Sequence, residues 1–103
     1  MKDILDRLDE ILEDRKTSRG DNSYVASLYE KGSKHICSKV IEEAKELVEA
    51  TSENKQRMVN ESADLLFHVL VLLASHDIKY ARILEELENR FGTSGIEEKN
   101  NRK

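Results

Sequence analysis

No proline occurs among the 103 residues of this chain, and only four residues are glycine. Proline and glycine are the residues that most strongly disfavour a helix interior, so long stretches of good helix formers run here without interruption. Charged residues make up 37% of the sequence and hydrophobic residues 38%, and no segment has the alternating pattern of a strand. The sequence therefore predicts a small all-α protein.

Apolar residues at helical spacing predict four helices and one short helical segment. Ser23 is expected to cap the short segment and Asp77 the last helix, whereas Gly32 and Gly92 are expected to end helices. The turn at 51–54 is short, which favours antiparallel neighbours. The predicted fold is a single all-α domain, an antiparallel bundle of about four helices plus a short extra helix, with a polar tail at 92–103. The predicted helices cover about residues 2–16, 33–50, 55–75 and 78–91, and the short segment covers 23–31.

The helix predicted at 55–75 is apolar nearly all round from Leu65 onward. Such a helix has to be covered on several sides, and three other short helices can hardly cover it alone. We therefore expect a homodimer or a higher homo-oligomer that shares this helix in its core. The alternative is a tightly packed monomeric bundle.

Composition also bears on location and partners. The formal net charge of −4 argues against a nucleic-acid-binding protein, which usually has a basic face. The longest apolar run, Leu65 to Ala74, is interrupted by His68 and is shorter than the ~20 residues that span a bilayer. A charged N-terminus and one cysteine, Cys37, which we expect to be a buried thiol, complete the prediction of a soluble cytoplasmic protein.

Two acidic pairs, Glu43/Glu46 and Glu61/Asp64, carry the first indication of function. Residues three apart lie on the same helix face, so each pair points two carboxylates in one direction. At a rise of about 1.5 Å per residue, Glu46 and Glu61 reach nearly the same level of an antiparallel hairpin. Four converging carboxylates would need a divalent cation, and oxygen ligands without cysteine or histidine favour Mg²⁺, with Mn²⁺ as a substitute. The alternative is a solvated acidic face that arises by chance among 21 acidic residues.

The acidic pairs belong to a longer pattern. The chain has E-E-A-K-E at 42–46 and E-S-A-D at 61–64, and it resembles the phosphoribosyl-ATP pyrophosphatase family of MazG-like all-α nucleotide pyrophosphohydrolases. The resemblance extends over nearly the whole chain, although Ile41 stands where a small residue is expected. The further matching segments are SYVASLY at 23–29, KG at 31–32, KV at 39–40, ADLLFHVLVLLA at 63–74 and GTSGIEEK at 92–99.

The resemblance implies Mg²⁺-dependent hydrolysis of phosphoribosyl-ATP to phosphoribosyl-AMP and pyrophosphate, the second step of histidine biosynthesis. It implies that Glu42 binds metal indirectly or orients water. His68 lies one turn beyond Asp64 on the same face and is either a partner of a ligand or a core histidine. The resemblance carries over the metal ligands, whereas charge and position suggest the phosphate-binding residues, each of which could instead be a solvated surface group. The metal ligands are Glu43, Glu46, Glu61 and Asp64, the catalytic residues are Glu42, Glu43 and Lys39, and the substrate-binding residues are Lys31, Lys39, Ser94 and Lys99.

Two other functions are open to such a chain. One is a housecleaning nucleoside triphosphate pyrophosphatase of the same superfamily, which the SYVASLY and GTSGIEEK segments disfavour. The other is a non-enzymatic helical dimerisation module, whose acidic pairs would serve only to solvate its surface.

Overall fold

Five α-helices make up the part of the chain that the computed structural model describes, residues 3–20 and 23–92. A short 3-10 turn at Arg15–Thr17 follows the first helix, and these two ranges contain no strand. The prediction of an all-α fold is confirmed, and each helix lies within a few residues of its expected bounds. The helices are α1 (Ile4–Asp14), α2 (Tyr24–Lys31), α3 (Ser33–Ala50), α4 (Lys55–Ser75) and α5 (Tyr80–Phe91).

Side-chain caps fix the starts of three helices. The Asp6 amide donates to Oδ1 of Asp3 at 2.9 Å, and the Ala26 amide donates to Oγ of Ser23 at 2.9 Å. Asn54 caps α4 in the same way. The predicted cap at Ser23 is therefore confirmed, and each cap satisfies an amide that the helix itself leaves unpaired.

The prediction that Asp77 caps the last helix is wrong. α5 begins at Tyr80, and its N-cap residue, Lys79, makes no side-chain cap hydrogen bond. Asp77 instead takes a left-handed backbone conformation, with φ of 61°, and its Oδ1 lies 2.7 Å from Nζ of Lys16. The ammonium group lowers the pKa of Asp77. This ion pair joins the segment after α1 to the turn between α4 and α5, a long-range contact that no local pattern predicts.

The antiparallel hairpin of α3 and α4 is the centre of the fold, with α2 packed against α3 and α1 packed against α4. The core includes Ile36 of α3 and Val71 of α4, each with none of its surface exposed. The Tyr29 hydroxyl donates to the Leu12 carbonyl at 2.9 Å, which holds α2 against α1. Burial of these apolar side chains fixes the hairpin and hence the level at which its polar residues face each other. The buried core cluster consists of Leu12, Val25, Leu28, Ile36, Leu70, Val71 and Ala74.

Large apolar side chains remain exposed on α3, α4 and α5. Along α3 the exposed aliphatic residues are Ile41 and Val48, and along α4 they are Val59 and Leu66. None of the residues of α5 is buried. Cys37 is also exposed, so the prediction that it is a buried thiol is wrong. The exposed apolar residues of α5 are Ile83, Leu84, Leu87 and Phe91.

By length and composition, α4 is also the one helix of the described residues that could cross a membrane. The core helices of soluble proteins meet the same criteria, and 22% of the apolar window of α4 is buried in one copy of the chain. Arg57, Glu61, Asp64 and His68 all lie on this helix.

Candidate active site

Three carboxylates meet between α3 and α4. Glu43 and Glu46 of α3 and Glu61 of α4 each present an oxygen, and these three atoms lie within 4.8 Å of one another. Glu43 is buried, with 8% of its surface exposed, and the other two are half-buried. The antiparallel hairpin thus brings Glu46 and Glu61 to one level, as the helical rise predicts. We call Glu43, Glu46 and Glu61 the acidic cluster.

Asp64 is placed beside the acidic cluster rather than within it. It lies on α4 one turn after Glu61 and is exposed, and it is not among the residues whose oxygens meet within 4.8 Å. Its charge nevertheless acts on the cluster, because it contributes to the raised pKa of both Glu43 and Glu61. Of the four ligands that the resemblance implies, the structure therefore groups three and places the fourth at their edge.

The carboxylates of the cluster repel one another. Burial raises the pKa of Glu43, and the neighbouring Glu46 raises it further. The pKa of Glu61 is raised chiefly by Glu46, whereas Arg57 acts in the opposite direction. A raised pKa means that the deprotonated carboxylates are less stable here than in water. A bound cation would remove that penalty.

Buried polar atoms without hydrogen-bond partners occur at the same place. Within residues 3–20 and 23–92, three buried side-chain polar atoms lack a hydrogen-bond partner: Oε2 of Glu43, Oε2 of Glu61 and Nε of Arg57. Buried polar atoms are nearly always paired, because leaving one unpaired costs about 1–3 kcal/mol. Unpaired oxygens, all of them hard donors, are suited to a divalent cation such as Mg²⁺. The residues present therefore fit a metal ion of this class.

These pKa shifts predict a pH dependence of stability. Between the ordinary pKa of 4.5 and the raised folded values, the folded state binds more protons than the unfolded state, so stability falls as pH rises. In EDTA, we expect the Tm of the protein to fall between mildly acidic and neutral pH as Glu43 and Glu61 lose their protons. Saturating Mg²⁺ should reduce this fall, because cations bind the deprotonated ligands.

The variant Glu43→Gln provides the comparison for this measurement. Glutamine does not titrate, so the Tm of this variant in EDTA should vary less with pH than that of the wild type. Thermal unfolding followed by circular dichroism over this pH range measures both slopes. Equal slopes for the two proteins would contradict the assignment of the pH dependence to the acidic cluster.

Of the other two predicted catalytic residues, both on α3, Lys39 is half-buried and Glu42 is exposed. Nζ of Lys39 is 3.4 Å from Oε1 of Glu42, and this partner raises the pKa of Lys39, so the ammonium group stays charged. Lys31 is the last residue of α2 and is exposed. The remaining predicted substrate-binding residues, Ser94 and Lys99, lie outside the described residues.

His68 connects α2 to the helix that bears Glu61. It is buried, with 6% of its surface exposed, and its Nδ1 lies 2.8 Å from the Asp64 carbonyl, which can only accept. Nδ1 therefore carries a proton and donates to this carbonyl, and Nε2 is hydrogen-bonded to the Tyr24 hydroxyl at 2.9 Å. Phe67 packs against both rings, edge-on to His68 and stacked on Tyr24. His68 is thus a satisfied core histidine, and its contact with Asp64 is to the backbone carbonyl rather than to the carboxylate; a role as the partner of a metal ligand stays a prediction.

Arg57 is a residue of this site that sequence reasoning missed. Its Nη2 lies 3.7 Å from Oε1 of Glu61, one turn further along α4. The signal was present as an opposite-charge pair at positions i and i+4, but such pairs are common on solvated helices. Only the burial of Glu61 against α3 distinguishes this pair from the others.

Comparison with known proteins agrees with the site. Residues 5–91 match the family model described as phosphoribosyl-ATP pyrophosphohydrolase. The chain is 51% identical over 102 residues to the phosphoribosyl-ATP pyrophosphatase of Methylococcus capsulatus, covering 98% of this chain and 97% of that protein. It is 48% identical over 103 residues to the protein of the same name from Vesicomyosocius okutanii, covering 99% and 98% of the two chains. It is also 48% identical over 101 residues to that of Geobacter sulfurreducens, covering 97% and 94%.

Proposed function

This chain belongs to the phosphoribosyl-ATP pyrophosphohydrolase family, and on that basis we propose that it hydrolyses phosphoribosyl-ATP to phosphoribosyl-AMP and pyrophosphate. This reaction is the second step of histidine biosynthesis. Among the residues of this chain, the proposal is supported chiefly by the carboxylate oxygens of Glu43, Glu46 and Glu61, which lie within 4.8 Å of one another.

We propose that the acidic cluster, with Asp64 at its edge, holds Mg²⁺, for which Mn²⁺ can substitute. The unpaired Oε2 atoms of Glu43 and Glu61 and the wholly oxygen donor set support this assignment. When bound, the ion supplies positive charge for the polyphosphate and Lewis acidity for the attacking water. Without it, the carboxylates would repel a polyanionic substrate.

Side chains of this protein would position the attacking water and bind the phosphates. Hydrolysis adds one water molecule across the α–β phosphoanhydride bond, so a base has to accept a proton as the bond to the leaving phosphate breaks. Glu43 would contribute as one of the carboxylates that hold the cation, since a cation there offsets the burial and repulsion that raise its pKa and lowers the pKa of the attacking water. Glu42, adjacent to it, would orient the water, and the charged Lys39 would neutralise a phosphate oxygen. Lys31, Ser94 and Lys99 are proposed as further phosphate contacts.

Substrate turnover tests this proposal against the general triphosphate pyrophosphatase. We expect kcat/KM with Mg²⁺ to be at least about a hundredfold higher for phosphoribosyl-ATP than for ATP or dCTP, because the added phosphoribosyl group supplies binding energy that a plain triphosphate lacks. Pyrophosphate release measures the rates, and EDTA serves as the control without cation. Turnover of the ordinary triphosphates alone would contradict the proposed substrate, and no turnover at all would support the dimerisation module.

We further propose that the protein is a homodimer. In one copy of the chain, large apolar side chains are exposed along α3, α4 and α5. An apolar surface of this kind is typical of an interface. A second copy packed against these residues would bury them and would cover the apolar sides of α4.

A further inference from the structure

The Arg57 guanidinium is held only loosely in the structure. Nη1 lies 3.3 Å from Oε1 of Glu53, and Nη2 lies 3.7 Å from Oε1 of Glu61, which is too long for a hydrogen bond. Nε is buried and has no hydrogen-bond partner. The backbone of Arg57, in contrast, is fixed, because its amide donates to Oδ1 of Asn54 at 2.8 Å in the cap of α4. The guanidinium is therefore held by one long hydrogen bond and one ion pair, and neither of them engages Nε.

The position of the unpaired donor is chemically informative. In a planar guanidinium, Nε–H and one terminal nitrogen share the edge that binds phosphate and carboxylate groups with two parallel hydrogen bonds. The unpaired oxygens of Glu43 and Glu61 would accept a cation, whereas the unpaired Nε–H of Arg57 would bind an anion. This small region therefore offers unpaired oxygens to a cation and an unpaired N–H to an anion. A divalent cation that carries a phosphate chain supplies the two together.

We propose that Arg57 is a phosphate-binding residue, which the ligand-free protein keeps beside Glu61 and which turns to the diphosphate of the substrate when a divalent cation occupies the acidic cluster. This inference rests on the proposed function, because it needs a cation and a polyphosphate at this site. It adds a role that the lysines do not fill, since a lysine offers a point charge and no planar pair of donors.

Removing the charge of Arg57 should change the affinities for a cation and for an anion in opposite directions. Near Glu61 the positive guanidinium competes with an incoming cation, so removing its charge should strengthen cation binding. Once the cation is bound, the same side chain contributes hydrogen bonds to phosphate, so removing it should weaken anion binding. A residue with a purely structural role would not shift the two affinities in opposite directions.

The test uses the full-length protein and the variant Arg57→Gln. By calorimetric titration we expect Mn²⁺ alone to bind the variant about fivefold more tightly, since two like charges a few Å apart repel even in water. Inorganic pyrophosphate should bind the Mg²⁺-saturated variant about tenfold more weakly, in line with the loss of a charge-assisted bidentate contact. The proposal requires both shifts, so the absence of either one overturns it.

Two further variants separate this role from others. Arg57→Lys keeps the charge but not the planar edge, so its Mn²⁺ affinity should stay near the wild-type value while pyrophosphate binding weakens. Arg90→Gln removes an arginine of the same spacing on α5, where Nε lies 3.0 Å from Glu86, and both affinities should be unchanged. If wild-type protein binds neither Mn²⁺ nor pyrophosphate, the proposed function fails; if it binds both and Arg57→Gln behaves like Arg90→Gln, only the role of Arg57 fails.

Discussion

Replacing Glu61 by glutamine is expected to lower kcat/KM for phosphoribosyl-ATP by about a thousandfold, since a catalytic metal is worth several kcal/mol of transition-state stabilisation. Glu61 is the contribution of α4 to the acidic cluster, and the other two oxygens come from the neighbouring helix. Without its carboxylate, the cluster keeps ligands from α3 alone, and a cation would no longer bridge the hairpin.

The same substitution is expected to stabilise the protein when no cation is present. The pKa of Glu61 is raised chiefly by its hydrogen bond with Glu46, which favours the protonated form of Glu61. The folded state is therefore destabilised when both carboxylates are charged. Glutamine is uncharged, and its amide can donate a hydrogen bond to Glu46. In EDTA at neutral pH, the Tm of Glu61→Gln should therefore exceed that of the wild type, whereas in Mg²⁺ the order should reverse.

A substitution elsewhere on the hairpin serves as the control. Glu49 is an exposed residue of α3, one turn beyond Glu46, and Glu49→Gln removes the same charge without touching the cluster. It should leave kcat/KM and the effect of Mg²⁺ on Tm unchanged. Steady-state rates and thermal unfolding of the three proteins measure both effects. An active Glu61→Gln enzyme would remove Glu61 from the site, and equal losses in both variants would point to a general electrostatic effect.

Local features of the fold are predicted well from the sequence. Helix spans follow from apolar periodicity and the absence of proline, and the turn at 51–54 sets the register of α3 against α4. That register alone places Glu46 opposite Glu61, so the meeting of the two carboxylates follows from counting residues along two antiparallel helices. The position of Asp64 at the edge of the cluster depends on side-chain direction, which spacing does not specify.

Features that depend on long-range contacts are not predicted. Asp77 is of a residue type that commonly caps helices, but its carboxylate pairs with Lys16, 61 positions away in the sequence. The Nε of Arg57 is buried and unpaired, and the i, i+4 pattern reveals neither property. In each case the sequence supplies the residue type, and the tertiary arrangement decides its partner.

Cys37 illustrates how an incorrect prediction bears on assembly. The sequence places it on an apolar side of α3, yet it is exposed in one copy of the chain. Ile41 lies one turn after it and is 70% exposed, and Val48, seven residues further on, is 68% exposed. α3 does carry apolar residues at helical spacing, but no element of the described residues covers this face. An apolar face that its own chain leaves open is typical of a surface that a second copy covers.

The exposed residues of α4 have the spacing of a helix–helix interface. Val59 and Leu66 are seven residues apart, the interval at which a helix returns to the same side of a two-helix contact. On α3, Ile41 and Val48 have the same interval. Two antiparallel helices that each carry such a pair form half of a four-helix bundle, and a second hairpin would complete it.

Replacing Leu66 by glutamate is therefore expected to convert a dimer into a monomer. Light scattering after gel filtration should give a mass near 11.9 kDa for the variant and about twice that for the wild type. The Tm should fall by at least about 8 °C, because the variant loses the burial of the leucine at the interface. The apolar surface around position 66 would also stay exposed to water. Asn60→Glu adds the same charge to an exposed polar position of α4 and should keep both the mass and the Tm. A wild-type protein of monomer mass, or a Leu66→Glu protein that stays dimeric, would exclude this face as the interface.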